Sequence, residues 1–246
     1  MTFARFIPFL TLFLISSFSH ASPIFDWTSN NIQLLHGHDF KLGDESRTLV
    51  TIQHADGWRY GENFFFIEFI DRDDTGTAVY GEFYPRLSWS KITGKTPSSS
   101  FIKDFSLVGG FNGGSLPKKD PYKAYLLGLG VRFDVPSMDF LFLDIMAFKA
   151  ENVHTTGIQI TPVWSAPFQI GSLHFIFKGF LDWQSRKATG GSSTILTQPK
   201  LLLDVGQLLG NKNTFHVGIE YQYWHNKFGI KGITESLPQA IIMMTF

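Results

Sequence analysis

Apolar and polar residues alternate along most of the chain. The pattern is clearest in three segments, FFFIEFI at 64–70, YLLGLGVRFD at 125–134 and FHVGIEYQYWH at 215–225. In each segment one face is continuously apolar, whereas the other carries glycine, charged or amide side chains. Because successive side chains of a strand point to opposite faces, this pattern predicts strands that separate lipid from a polar interior.

About twelve segments share this alternation, and no internal repeat or linker divides them. They lie near residues 27–36, 48–56, 63–70, 79–90, 103–110, 122–134, 140–150, 157–165, 172–183, 196–206, 214–225 and 237–246. The predicted fold class is therefore all-β, a single transmembrane antiparallel β-barrel of about 12 strands that occupies residues 22–246.

The linkers between the predicted strands give the barrel an orientation. The short linkers VPSMD and APFQIG follow even-numbered strands, as periplasmic turns do when both termini lie on the periplasmic side. The linker KITGKTPSSSF is an exception, because it is long and falls on the same side. We therefore expect the longer connections mainly at the outer end.

The first 21 residues have the features of a secretory signal peptide. Arg5 precedes an apolar stretch at 6–15, and the small residues Ser19 and Ala21 stand before a proline. A membrane-anchoring helix is the alternative, but its apolar core would fall short of the roughly 20 residues that a span needs. We expect cleavage after Ala21 and export of the rest of the chain.

The last predicted strand carries the sharpest local signal. In PQAIIMMTF, Ala240, Ile242, Met244 and the terminal Phe246 share one face. An aromatic last residue on the lipid face resembles the terminal signature of bacterial outer-membrane barrels. A soluble core strand that ends at Phe is the alternative, but the signal peptide and the absence of cysteine favour the bacterial outer membrane as the location.

The composition supports a lipid-facing surface and narrows the range of partners. The chain is 16% aromatic and 17% charged, has 26 Phe residues and no Cys, and carries a net charge of +0. So many aromatic residues beside so few charges indicate that part of the outer surface is not in water. The balanced charge gives no reason to expect a nucleic-acid polymer as partner, and the lack of Cys excludes disulfides and thiolate metal sites.

Charged residues within the strands are expected to face the barrel interior, the lumen, because a charge on the lipid face costs about 2–4 kcal/mol at the midplane. In GEFYPRLSWS, placing Phe83 and Leu87 outward turns Glu82, Tyr84 and Arg86 inward. The same parity turns nine further charged residues inward: Glu68, Arg132, Asp134, Asp144, Lys178, Asp182, Lys200, Asp204 and Glu220. Acids and bases are mixed in this set, so a neutral polar solute is predicted.

The same alternation places six aromatic side chains on the inner face of their strands: Phe64, Phe66, Tyr84, Phe148, Phe180 and Trp224. Aromatic faces can stack on bases, while neighbouring carboxylates and amides hydrogen-bond ribose hydroxyls. Filling and bracing of a small barrel is the alternative role for each of these residues.

The sequence has no HExxH or GxSxG motif, and its histidines are scattered. We therefore expect no enzyme, no catalytic residue, no metal and no cofactor. Two other classes stay open. A structural or adhesive barrel would have a plugged lumen with paired charges, and a lipid-modifying barrel enzyme would need a Ser and a His in hydrogen-bond reach at the rim.

Four stretches resemble the nucleoside-specific channel-forming outer-membrane proteins, the Tsx and OmpK group. They are HADGWRYGENFFF at 54–66, GEFYPRLSWSKITG at 81–94, GFLDW at 179–183 and YQYWH at 221–225. The resemblance spans nearly the whole mature chain in order, and the second and third stretches are its more specific parts.

The resemblance implies a monomeric twelve-stranded barrel, embedded in outer-membrane lipid, that passes nucleosides and similar small polar solutes down a gradient. The matching positions put five residues in the lumen, Glu82, Arg86, Phe180, Asp182 and Trp224, with Phe64 and Phe66 as stacking surfaces. Together with the parity, this gives the candidate substrate-binding set Phe64, Phe66, Glu68, Glu82, Tyr84, Arg86, Arg132, Phe180, Asp182, Glu220 and Trp224. The resemblance also implies phages or colicins as partners at the outer loops, although the outer loops of this chain are compact.

Overall fold

The structure is a computed structural model that describes residues 24–71, 76–115 and 121–246. The predicted signal peptide lies outside these residues. The described strands are β1 Phe25–Gly37, β2 Arg47–Trp58, β3 Gly61–Asp71, β4 Ala78–Ser88, β5 Ile102–Ser115, β6 Tyr122–Phe133, β7 Phe140–Ala150, β8 Gly157–Ile170, β9 Leu173–Gln184, β10 Thr194–Thr197, β11 Lys200–Asp204, β12 Phe215–His225 and β13 Glu235–Thr245.

These strands form one closed antiparallel sheet. Each strand from β1 to β9 pairs with its neighbours in sequence, and β1 also pairs with β13, which closes the ring. Both β10 and β11 lie between β9 and β12, because a break at Gln198 and Pro199 divides one strand in two. The described chain thus has twelve strand positions around the barrel, which confirms the predicted all-β barrel.

We call the end where β1 begins and β13 ends the terminal end, and the opposite end the far end. Two-residue turns at 59–60 and 171–172 lie at the terminal end, as do the short helices α1 Trp89–Thr93 and α3 Val205–Leu208. Helix α2 Arg186–Thr189 lies at the far end. None of the helices in the described part of the chain is long and apolar enough to cross a membrane.

The outer surface of the barrel is apolar. On β6, Leu127 and Leu129 are 61% and 68% exposed. Leu126, which precedes Leu127 on the same strand, faces the lumen and is buried. On β13, Met244 points outward and is 55% exposed, while Met243 is buried. An apolar belt of this kind is stable in lipid rather than in water. The chain is a barrel of the outer-membrane type, as predicted.

Two of the predicted boundaries that the structure corrects have a clear local cause. The segment APFQIG, predicted as a linker, continues β8 up to a turn made by Gly171, at φ +60, and Ser172. The strand predicted near 79–90 ends at Ser88, because the Ser88 hydroxyl accepts a hydrogen bond from the backbone N–H of Lys91 (3.1 Å) and caps α1.

Two carboxylates predicted to face the lumen lie at the terminal end of the barrel, one beyond its strand and one at the end of its strand. Asp134 lies beyond the end of β6, where its exposed side chain is 3.7 Å from the Nζ of Lys103. Asp204 ends β11, and its carboxylate accepts the backbone N–H groups of Gln207 and Asn213, both at 2.9 Å. Asp134 was misplaced because alternation stops where the strand stops, whereas Asp204 lies on the same face of β11 as the buried Leu202, as predicted.

Pro85 is accommodated within β4 at a gap in the sheet. Strand β3 keeps its register past it, with Asn63 opposite Pro85, whereas the pairing with β5 is interrupted at Tyr84 and Pro85. The proline ring lies against Gly109 of β5, where an added Cβ would be 3.4 Å from the ring. The missing backbone N–H of Pro85 is therefore tolerated at this interruption.

Candidate functional site

Two apolar patches line opposite sides of the lumen. The first is formed mainly by β13, β1, β2 and β11 and contains Leu35, Phe40, Leu49, Leu202, Leu237, Ile241 and Met243. The second is formed mainly by β5, β6 and β7 and contains Val108, Ala124, Leu126, Met146, Phe148, Ala150 and Ala188. In a ring of twelve strand positions β6 lies opposite β13. The polar walls between the patches are therefore built by β3 and β4 on one side and by β8 and β9 on the other.

An ion pair joins β4 to β7 on the lumen side. Arg86 donates both terminal nitrogens to the carboxylate of Asp144, with Nη1 2.7 Å from Oδ1. Gly130 makes room for this pair, since a Cβ there would lie 2.5 Å from Asp144 Oδ1. The Arg86 guanidinium lies over the ring of Phe142, 4.6 Å from its centroid. Arg86 is thus held by the protein itself, and it braces the wall.

A second ion pair lies beside the first. The Nη1 of Arg132 on β6 is 2.9 Å from Oε1 of Glu62 on β3, and the Arg132 guanidinium lies 5.3 Å from the centroid of the same Phe142 ring. Both pairs join strands that are not adjacent in the sheet. They therefore cross the lumen face instead of stapling one strand to its neighbour.

Glu220 is also held by a cation, on the other side of the barrel, but its partner Lys200 lies directly opposite it on the neighbouring strand. The Oε2 of Glu220 is 2.9 Å from the Nζ of Lys200, and its Oε1 accepts a hydrogen bond from the Nε2 of Gln239 (2.8 Å). Lys200 also donates to the side-chain oxygen of Gln33 (2.6 Å). This buried network fixes the wall formed by β11, β12, β13 and β1.

Glu68 and Glu82, in contrast, are bonded to neutral groups. Glu82 accepts hydrogen bonds from the hydroxyl of Tyr80 (2.6 Å) and from the Nδ2 of Asn112 (3.1 Å). Glu68 accepts one from the hydroxyl of Thr51 (3.0 Å). No Lys, Arg or His nitrogen of the described chain forms an ion pair with either carboxylate.

Asp182 has a similar environment on the opposite polar wall. Its Oδ1 accepts hydrogen bonds from the hydroxyl of Thr161 (2.5 Å) and the Nε2 of Gln159 (3.2 Å). It too lacks an ion-pair partner within the residues that the structure covers. Phe180 lies two residues away on the same lumen face of β9, and both side chains are half-buried. A carboxylate and an aromatic ring are thus presented together to the lumen.

Aromatic rings form a series that runs from the first polar wall to Tyr122, which packs against the second apolar patch. Their centroids are 6.2 Å apart between Phe64 and Phe66, 6.0 Å between Phe66 and Tyr80, and 6.5 Å between Tyr80 and Tyr122. Tyr84 continues this surface toward the second apolar patch, against which it packs. The rings therefore border Glu82 on the side of β3 and β6.

Trp224 lies at the far end and not in the middle of the lumen. Its Nε1 donates to the hydroxyl of Thr194 (3.0 Å), and its ring meets that of Phe228 edge to face, with centroids 4.6 Å apart. The Nζ of Lys227 is 4.7 Å from the Trp224 ring centroid. Trp224 thus supports the far mouth, and any solute contact it makes is made there.

Loop 1 (38–46) and loop 6 (226–234) are tied together at this mouth by Glu235. The Glu235 carboxylate is buried and accepts hydrogen bonds from the Nζ of Lys227 and the backbone N–H of Lys41, both at 2.7 Å. One side chain therefore anchors both loops.

We expect Glu235→Ala to release loop 1, because the N–H of Lys41 loses its acceptor. Trypsin should then cleave the folded barrel after Lys41 several-fold faster than it cleaves the wild type, as measured by mass spectrometry of timed digests. Glu45→Ala, which removes an exposed carboxylate of loop 1, is the matched control and should digest at the wild-type rate. Equal rates for Glu235→Ala and the wild type would contradict this anchoring role.

The structure sorts the candidate substrate-binding residues into three groups. The half-buried lining of the central lumen contains Phe64, Phe66, Glu68, Glu82, Tyr84, Phe180 and Asp182. The residues engaged in ion pairs are Arg86, Arg132 and Glu220. Trp224 lies at the far mouth. Phe148, also predicted to face the lumen, is buried in the second apolar patch.

Sequence reasoning missed several partners of the central carboxylates, namely Tyr80, Asn112, Gln159 and Thr161. Tyr80 shares the parity of Glu82, so alternation could have placed it in the lumen. The other three lie on different strands from the carboxylates that they bind. Their proximity depends on strand register, which alternation does not determine.

Four of the seven described histidines, His36, His38, His54 and His225, form side-chain hydrogen bonds with Thr, Asp or Asn. The Ser–His contact that a lipid-modifying enzyme would need is not among them. Both ring nitrogens of the buried His216 lack a hydrogen-bond partner in the described structure. In the part of the chain that the structure covers, no group of three or more His, Cys, Asp or Glu side chains is placed to hold a metal ion.

Comparison with known proteins identifies the architecture. No protein-family model and no curated protein matches the chain. Among solved structures, the chain is similar to a KdgM porin (TM-score 0.50, 13% identity, 89% of this chain and 99% of that chain covered). It is also similar to a KdgM porin in complex with disordered oligogalacturonate (TM-score 0.50, 11% identity, 88% and 99% covered). At these identities the likeness shows the barrel fold, and it does not confirm the Tsx and OmpK group.

Proposed function

We propose that this barrel is a passive outer-membrane channel for small polar solutes and that nucleosides are among them. The observation that carries the proposal is the central lumen, where half-buried aromatic rings and carboxylates line two facing polar walls between two apolar patches. A passive channel needs several weak contacts in succession, since a single tight site would hold the solute. The similarity to porin barrels supports the same class.

The chemistry of the central lumen fits a nucleoside. The faces of Phe66 and Phe180 can stack on a base, and stacking of this kind is worth about 1–3 kcal/mol per base. Glu82 and Asp182 present carboxylate oxygens that accept hydrogen bonds from ribose hydroxyls. Each polar wall presents a ring beside a carboxylate, so a base and its sugar can be contacted at once.

A structural barrel with a plugged lumen is the second candidate, and the ion pairs favour it. Arg86 with Asp144 and Arg132 with Glu62 cross the lumen face between non-adjacent strands, as expected of a braced interior. Zero single-channel conductance in a planar bilayer would support this candidate over the channel.

The channel proposal is tested by solute uptake into liposomes that contain the purified barrel. We expect adenosine and thymidine to enter faster than sugars of similar size. Phe66→Ala should lower nucleoside uptake about threefold to tenfold, because a stacking surface is lost, and should leave sugar uptake nearly unchanged.

Phe69→Ala is the matched control. Phe69 lies on the same strand but faces lipid, so its loss should not alter the ratio of nucleoside to sugar uptake. Equal uptake of all solutes by the wild type would overturn the nucleoside preference and leave a general small-solute channel.

A further inference from the structure

The basic residues of the lumen are largely neutralised by ion pairs. Four of them each hold a carboxylate: Arg86, Arg132, Lys200 and Lys227. Lys178 differs, because its Nζ lies 3.6 Å from the thioether sulfur of Met243 and forms no ion pair with the described residues. The described lumen thus contains one lysine without an ion-pair partner and three carboxylates without one, Glu68, Glu82 and Asp182. The unpaired charge of the central lumen is therefore acidic, although acids and bases balance along the whole sequence.

A second observation comes from Asn112, which is 3% exposed. Its Nδ2 donates to Glu82, whereas its Oδ1 has no hydrogen-bond partner within the described structure. A buried acceptor left without a donor costs free energy, so this enclosed oxygen favours a donor group once neighbouring side chains move to admit one. The carboxylate of Glu82 and the amide oxygen of Asn112 are both acceptors, and both belong to one hydrogen-bonded pair.

We infer that the central lumen is a cation-preferring filter and that Glu82 with Asn112 forms a subsite for an ammonium group. Glu68 on the neighbouring strand and Asp182 on the facing wall add to the negative potential. The ring faces of Phe66 and Tyr80 beside Glu82 attract cations as well. The solute class that this filter favours is a small organic cation, or a neutral solute rich in N–H and O–H donors, and anions are disfavoured. This inference rests on the proposed channel function.

The excess of carboxylates in this lumen contrasts with the acidic ligand of one structural neighbour. The KdgM porin complex holds an oligogalacturonate, whose sugar units carry carboxylates. Unpaired carboxylates in the present lumen would repel such a chain, since two like charges 4 Å apart cost about 1 kcal/mol even in bulk water. The shared barrel therefore does not imply a shared solute.

The filter is tested by reversal potentials across a planar bilayer at pH 8. A KCl gradient measures the preference of the wild type for K⁺ over Cl⁻, which we expect to be about threefold or more. An ethanolammonium chloride gradient applies the same measurement to a small organic ammonium ion. The triple variant Glu68→Gln, Glu82→Gln and Asp182→Asn keeps the shape of the three side chains and should bring both ratios close to one.

Asp39→Asn is the matched control, because Asp39 lies in loop 1 with an exposed carboxylate and its substitution should leave the ratios unchanged. The single variant Glu82→Gln should account for the largest part of the loss in the ethanolammonium gradient. A shift between heated and unheated samples on a denaturing gel verifies that each variant forms a closed barrel.

The outcomes separate the two proposals. Conductance without cation preference in the wild type, or a preference that survives in the triple variant, would overturn the filter and leave the channel intact. The absence of any conductance would overturn the channel and the filter with it. A cation preference lost in the triple variant and kept in Asp39→Asn would establish the filter.

Discussion

Replacing Arg86 by Met is expected to lower the free energy of unfolding by about 3–5 kcal/mol. Asp144 is 1% exposed and receives both terminal nitrogens of Arg86. The variant would leave this carboxylate buried without its cation. Urea unfolding of the barrel in lipid vesicles, followed by tryptophan fluorescence, measures the loss.

The double variant Arg86→Met and Asp144→Leu tests whether the unpaired charge of Asp144 causes the loss of stability. Apolar side chains of similar size remove the uncompensated charge, so the double variant should recover most of the lost free energy of unfolding. If the double variant were as unstable as Arg86→Met alone, the buried charge could not be the cause. Arg86 was predicted from sequence to be a substrate-binding residue of the lumen. Because its guanidinium is paired with Asp144, its contribution to stability is the first effect to expect.

Leu127→Arg is expected to cost about 2–4 kcal/mol of folding free energy in a bilayer, because Leu127 lies at the middle of β6 and faces lipid. Leu87 also faces lipid but is next to the last residue of β4, close to an interface where the same change costs about 0–1 kcal/mol. The measurement is the folded fraction after refolding into vesicles across a urea series.

Phe66→Arg is the matched control for this prediction. Phe66 lies at the middle of β3 but faces the lumen, near the carboxylates of Glu68 and Glu82. An arginine there would meet water and negative charge, so folding should remain close to that of the wild type. Equal losses in the two variants would contradict the assignment of the inner and outer faces.

The strand positions and the direction of most side chains were predictable from the sequence, because lipid on one side of the wall enforces strict alternation. Leu127 and Leu129 outside and Arg132 inside follow from that constraint alone. The constraint ends where the strand ends, which is why Asp134 was misplaced. Alternation is also a weak guide at the terminal end of β8. The strand continues to Ile170, although a linker was predicted from Ala166 onward.

The pairing of the lumen charges was not predictable by the same means. Arg86 and Asp144 are 58 residues apart and lie on strands that are not neighbours, and parity states only that both face inward. Whether a carboxylate meets a cation or a hydroxyl depends on register, strand tilt and a glycine at position 130 that leaves space. The mixed charges of the sequence therefore predicted a neutral polar solute, whereas the folded chain separates the paired charges from the unpaired ones.

The seam between β1 and β13 has a consequence for how the protein assembles. Its pairs run from Asn31 with Thr245 to Gly37 with Gln239, and the backbone N–H of Phe246 donates to the carbonyl of Asn30 (3.0 Å). Such contacts join residues more than 200 positions apart, so they have a high loop-closure cost and form late. Until β13 pairs with β1, both strands have an unpaired edge that can pair with another chain. Ring closure is therefore the step at which correct folding competes most directly with aggregation.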